Sequence, residues 1–312
     1  MTIRAQACMP SDKSSAKAAA GDTHISGMLR VRRMSGQELP AVSMEDIRRV
    51  WDLKKSLCQL HGFPICMQEL MHNGKTLDNL TLLDAPMDIE LVLSAPSTAE
   101  QLLAAGKELV KACETGSLEV VRSLLQVGVN KDFQNPDYMQ LPRTERHHYV
   151  GIAGFTPLIV VAVYGHIEIT RLLLEGGANR DAQDKRGFSA LMCAAEYGHL
   201  EIVRILLEGG ADKDLQSKGG VTALMRAVDS GHMEIARLLI EAGANKDTQD
   251  EDGHTALMLA AEDGQVQICQ LLLEAGANKD LKSLLGTTAL MLAVDSCHGE
   301  TAKLLSAKAR RV

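Results

Sequence analysis

Four histidines, His166, His199, His232 and His298, recur along this chain of 312 residues, and recurring imidazoles are natural candidates for metal ligation or proton transfer. Their separations of 33 or 66 residues put each in a different copy of one sequence unit, whereas a zinc site needs about four ligands converging on one point. The spacing therefore predicts structural capping. Asp250, Asp252 and Gly253 have the texture of a calcium loop, yet Thr248 and Leu259 stand where that loop draws oxygen ligands. The sequence contains no GxxxxGK phosphate loop, no HExxH and no GxSxG. Its seven cysteines, at 8, 58, 66, 113, 193, 269 and 297, are odd in number, scattered and never spaced CxxC, the pattern of reduced thiols. No cofactor is expected. One enzymatic alternative survives: His147 and His148 close a Pro-interrupted, basic-ended segment, DFQNPDYMQLPRTERHHYV, where a hydrolytic site could be built.

Composition narrows the classes further. With 46% apolar and 23% charged residues, the chain has enough apolar material to pack. Aromatic residues are only 3% and the net charge is -7, so neither a base-stacking platform nor a basic footprint is available, and nucleic acid is disfavoured. No window of about 18 apolar residues occurs, which argues against membrane insertion. The opening stretch is small and polar, without the apolar h-region of a secretory signal; a cytoplasmic or nuclear address is expected, not a secreted one.

The histidines are positioned by a repeat. Gly154, Gly187, Gly220, Gly253 and Gly286 lie 33 residues apart, and each opens a variant of the unit GFSALMCAAEYGHLEIVRILLEGGADKDLQ. Thr156, Ser189, Thr222, Thr255 and Thr288 precede an apolar run and suit the cap of a short first helix. Gly165, Gly198, Gly231 and Gly264 close that helix; a second follows with Ile202, Ile205, Leu206 and Leu207 at near-helical spacing. A partial earlier copy, with Gly116, SLEVVRSLL and Gly128, starts near 105, leaving an insertion of 16 residues at about 133–150. Two helices of about ten residues cannot bury their apolar faces alone, so the copies must stack.

Gly154–Leu158 (GFTPL), the Gly-His-x-Glu-Ile runs at 165, 198 and 231, and LLLExGAN at 172 and 271 resemble the ankyrin repeat, over residues 105–312. The resemblance implies a mainly α solenoid of six units, with hairpin fingers and a concave face formed by fingers and first helices. Three departures stand out. Pro157 alone keeps the family's proline, with Ala190, Ala223, Ala256 and Ala289 in its place. The family's first-helix histidine is replaced by Ile159, Met192, Met225, Met258 and Met291, which read as packing residues. Cys297 occupies a glycine position in the last copy.

Residues 28–95 have a different texture: MLRVRRMSGQELPAV reads as two strands about Ser35-Gly36, and Ser43 with Asp46 as a helix start. Ile47, Val50, Leu53, Leu57 and Leu60 give a helical face, Gly62 and Pro64 stop it, and an Asn73-Gly74 hairpin and DIELVLS supply further strands. Trp51 reads as core filling. This order resembles the ubiquitin-like family, a small α+β β-grasp domain. In that resemblance Met71 and Val92 fall on the family's apolar docking patch, Glu90 replaces its usual histidine, and Ser94-Ala95-Pro96 replaces the terminal diglycine, which argues against a covalent modifier. The expected organisation is a disordered tail at 1–27, the head at 28–95, a linker at 96–104 and the repeats at 105–312.

Binding residues are expected where copies differ. The first helices end in Val163, Glu196, Asp229, Glu262 and Asp295, followed by Tyr164, Tyr197, Ser230, Asp263 and Ser296. Carboxylates at helix C-termini oppose the macrodipole, at about 0.3–1 kcal/mol each, so they point to an acidic groove for a basic peptide or protein surface. The fingertips Lys185, Arg186, Lys218, Glu251 and Asp252 vary on a constant frame. The function expected is a non-enzymatic interaction scaffold or adaptor binding a protein partner, the alternatives being a ubiquitin/proteasome-pathway adaptor using the head and the hydrolytic site near the insertion.

Overall fold

The computed structural model describes residues 2–7, 28–32, 42–43, 47–72, 75–83, 89–93, 95–136 and 154–307, which divide into two compact units. The 33–41 and 73–74 turns and His147 and His148 lie outside them.

The first unit holds a sheet of six strands: β1 (Thr2–Ala7), β2 (Met28–Arg32), β3 (Val42–Ser43), β4 (Gln68–His72), β5 (Lys75–Thr76) and β6 (Ile89–Leu93), in the order β3-β2-β1-β6-β4-β5. Every pairing is antiparallel. Two points differ from the sequence expectation. Thr2–Ala7, inside the stretch read as a tail, is a strand set between β2 and β6, and Ser43 ends β3 rather than starting a helix. Helix α1 (Val50–His61) begins later, with the Asp52 carboxylate accepting the Arg49 N–H, and Gly62 closes it at φ 66°. Its inward face, Val50, Leu53 and Leu57, packs with Ile47, Leu70, Leu83 and Leu91 into one core. Trp51 is not part of that core: it is 40% exposed, because the residue after Val50 lies about 100° round the helix, and Lys55 Nζ sits 5.9 Å from its ring centroid. Burial pushes the Cys58 thiol up to about 11.

Helix α2 (Ala99–Thr115) starts inside the stretch expected to be linker. The Glu108 carboxylate on α2 takes the N–H groups of Ile65 and Cys66, at 2.5 and 2.8 Å, fixing the one-turn 3-10 segment at Ile65–Met67. Helix α3 (Leu118–Gln126) completes the pair, burying Val120, Val121 and Leu124.

Among the described residues the second unit carries five helix pairs: α4 (Pro157–Tyr164) with α5 (Ile167–Glu175), α6 (Ala190–Glu196) with α7 (Leu200–Glu208), α8 (Ala223–Asp229) with α9 (Met233–Glu241), α10 (Ala256–Glu262) with α11 (Val266–Glu274), and α12 (Ala289–Asp295) with α13 (Gly299–Ser306). In each first helix the predicted Thr or Ser caps: its hydroxyl accepts the N–H three residues on, as at Thr156 and Ser189. Ile159, Met192, Met225 and Met258 are buried between copies. Among the described residues, Cys297 is the one non-glycine at positive φ, 61°, a conformation that costs an L-residue roughly 1–2 kcal/mol.

Three ladders bind neighbouring copies. At the foot of each finger an aspartate accepts the backbone N–H of the next copy: Asp181 from Asp212 at 2.8 Å, Asp214 from Asn245 at 2.7 Å and Asp247 from Asn278 at 2.8 Å. These pairs are 31 residues apart; Asp132 and Asn179 make the same bond 47 apart, an excess of 16. Gln183, Gln216 and Gln249 each donate to the carbonyl 33 residues on. The repeated histidines supply the third ladder. Nε2 of His166, His199 and His232 lies 3.1, 3.0 and 3.1 Å from the carbonyls of Glu114, Val163 and Glu196, near the C-terminal end of the previous first helix. Orphan carbonyls there need partners, so the imidazoles act as caps between copies. Among the described residues, no three His, Cys, Asp or Glu side chains are grouped to hold a metal, and no helix is long and apolar enough to cross a membrane.

Candidate functional site

The fingers are built on one scheme. Asp184, Ser217, Asp250 and Ser283 each donate their N–H to the carbonyl four residues on, at 2.9–3.0 Å, closing a tight hairpin. Their side chains accept the returning N–H: Asp184 Oδ1 takes those of Arg186 and Phe188, both at 2.8 Å, and Asp250 Oδ1 those of Asp252 and His254, at 3.0 and 2.7 Å. Desolvation holds the Asp184 carboxyl above the ordinary range against the opposing pull of these bonds. Each fingertip is then tied to the one before: Lys218 N–H to Arg186 O at 2.9 Å, Glu251 to Gly219 at 3.0 Å and Leu284 to Asp252 at 2.9 Å. The tips thus form one preorganised row, and Lys185, Arg186, Lys218, Glu251 and Asp252 are all exposed on it.

The first-helix column is less uniform than its sequence suggests. Glu262, Asp263 and Asp295 are exposed and Asp229 partly so, but Glu196 is buried, its side chain 2% exposed. Glu196 therefore does not join an open acidic groove. Arg226 explains why: its guanidinium Nε lies 3.8 Å from Glu196 Oε2 and its Nη1 3.7 Å from Asp229 Oδ2. The same guanidinium stacks on Phe188, 4.9 Å from the ring centroid, and Arg186 covers the ring at 5.2 Å. Sequence reasoning missed Arg226. The available signal was the column Val160, Cys193, Leu259 and Leu292, in which Arg226 is the one charged member.

Tyr164 is half-buried, with its hydroxyl 3.5 Å from Glu114 Oε1 and its ring stacked on His166 at 6.3 Å; burial, then Glu114, pushes the phenol up. Tyr197 is half-buried as well. In the first unit, Met71 on β4 pairs with Glu90, and Val92 on β6 with Glu69, so the two patch positions are diagonal neighbours in the backbone register; their side chains lie outside the described residues.

The family model for ankyrin repeats in three copies matches residues 109–217, 176–250 and 224–311. No curated protein matches the chain.

Proposed function

We propose, from the premise that this chain belongs to the ankyrin-repeat family, that the repeat unit is the working part of a non-enzymatic scaffold or adaptor that holds a protein partner. Ankyrin repeats generally mediate protein–protein interaction. The observation that carries the reading here is the finger row: a frame fixed by backbone bonds between copies, presenting exposed side chains that differ from copy to copy. A surface already rigid loses little entropy on binding. Asp229, Glu262, Asp263 and Asp295 make the later copies acidic, so a basic peptide or protein face is the partner favoured, and long-range attraction to it falls with salt. Replacing Asp229, Glu262 and Asp295 together by Lys is expected to remove the basic partners captured by the wild-type chain and to flatten their salt dependence. An unchanged set of partners with unchanged salt response sinks the acidic surface.

A second reading rests on the first unit, where α1 packs its apolar face with residues of β4 and β6 in one core. A ubiquitin-like β-grasp head there would serve an adaptor in ubiquitin or proteasome traffic. The 312-residue chain with Met71→Asp and Val92→Asp is then expected to lose about tenfold or more in affinity for proteasomal or ligase subunits. Equal capture by both chains refutes it.

A further inference from the structure

One pair of side chains on the finger row is unlike the rest. Leu284 and Leu285, at the tip of the last described finger, are 77% and 88% exposed. Stack ends expose apolar groups for a simple reason: Met291 and Val294 are 51% and 57% exposed, while Met258 and Ala261, one copy earlier, are covered by the next pair. That reason does not reach Leu284 and Leu285. The same two fingertip positions are open to solvent as Glu251 and Asp252, with a complete copy stacked beyond them. A further copy after the last would leave the leucines exposed as well. They fill no core, and two adjacent large apolar side chains held open to water on a rigid hairpin are the mark of a contact surface.

The row is also ordered. Its tips run from Lys185-Arg186 through Lys218-Gly219 to Glu251-Asp252 and then Leu284-Leu285. The bonds between tips fix that order in space as basic, acidic, apolar. We infer that the finger row binds an extended protein segment of matching order, acidic over Lys185 and Lys218, basic over Glu251 and Asp252, with a large apolar side chain seated on Leu284 and Leu285. This rests on the protein-binding reading above and adds to it the direction of the occupant and its anchor. Glu262, Asp263 and Asp295, exposed at the C-terminal ends of the first helices that follow the later fingers, add negative charge to the same copies. Four fingers at the roughly 8–10 Å separation of packed helices span about 24–30 Å, which an extended chain covers in about eight or nine residues. The apolar anchor supplies affinity, since charges in water give mainly steering and register.

The test uses the 312-residue chain and displayed random peptides of about twelve residues, enough to cover that span. Selected peptides are expected to share a large apolar residue beside Lys or Arg. Measured by fluorescence anisotropy, their affinity should drop about tenfold or more in Leu284→Ser/Leu285→Ser. Glu251→Lys/Asp252→Lys should weaken them independently and, on reselection, replace the basic residues by acidic ones. Thermal melts of the variants check that the exposed tips change without unfolding. A consensus lacking the apolar residue, or affinity within about twofold in the serine variant, overturns the inference. If such peptides still respond to Lys at 229, 262 and 295, the protein-binding reading stands without it. If no selected peptide responds to either set of changes, both fall.

Discussion

Gly220→Ala is expected to lose about 2–4 kcal/mol of coupling between the second and third of the four fingers, although it adds a single methyl to a surface hairpin. Gly220 sits at φ 75°, where an L-residue costs roughly 1–2 kcal/mol. A Cβ there would also meet backbone of the next finger: Asp250 Cα at 2.8 Å, Glu251 N at 2.9 Å and Asp250 C at 3.0 Å. No rotamer relieves a contact with main chain, so the fingers must part, and the Glu251 N–H to Gly219 O bond at 3.0 Å is strained or lost, for about another 1 kcal/mol. Gly286→Ala is the control. It has φ 79° at the same place in its copy but nothing within 4 Å of the added Cβ, and should cost only the conformational term, about 1–2 kcal/mol. Stability in a stacked array is roughly a sum of units and nearest-neighbour interfaces, so weakening one interface lets copies on either side open separately. Urea unfolding of Gly220→Ala followed by circular dichroism should broaden or split, with amide exchange accelerating first across 253–306. Equal losses in both variants would show that the close approach between fingers contributes nothing.

The same geometry explains what could be read in advance. Caps, closing glycines and the 33-residue period are local or strictly periodic, so Thr156, Ser189 and Gly198 declared themselves from type and spacing alone. The finger-foot ladder is also periodic, yet no single copy announces it. Asp181 reaches Asp212, 31 residues on, an offset set by how copies lean on one another and encoded in no single copy. The burial of Glu196 is hidden for the same reason: Arg226, which pairs with it, is 30 residues ahead in a position elsewhere apolar. In the head, α1 was legible in outline because Val50, Leu53 and Leu57 share a face, whereas β1 joins the sheet through partners at 28–32 and 89–93 that no local pattern announces.

Arg226→Leu should destabilise the repeat unit by about 2–4 kcal/mol even though leucine is what the later copies carry at Leu259 and Leu292. The cost comes from the neighbour. Glu196, with 2% of its side chain exposed, has the Arg226 guanidinium 3.8 Å away, and removing that cation takes positive charge away from a buried carboxylate. The 3.8 Å separation and the partly exposed Asp229 hold the figure at or below the usual cost of breaking such a pair. A loss of about 0.5–1 kcal/mol from the guanidinium stacked on Phe188 is included. Glu196→Leu in the Arg226→Leu background should recover most of the loss, because a buried ion pair replaced by packed apolar groups is commonly neutral or better. The double-mutant cycle in urea therefore separates two cases. A coupling of about 1 kcal/mol or more identifies Arg226 and Glu196 as one unit that withdraws a carboxylate from the column and leaves the exposed negative charge to Asp229 and the copies after it. A coupling near zero, or a stabilised Arg226→Leu, shows that Arg226 is not what holds the Glu196 carboxylate in its buried place.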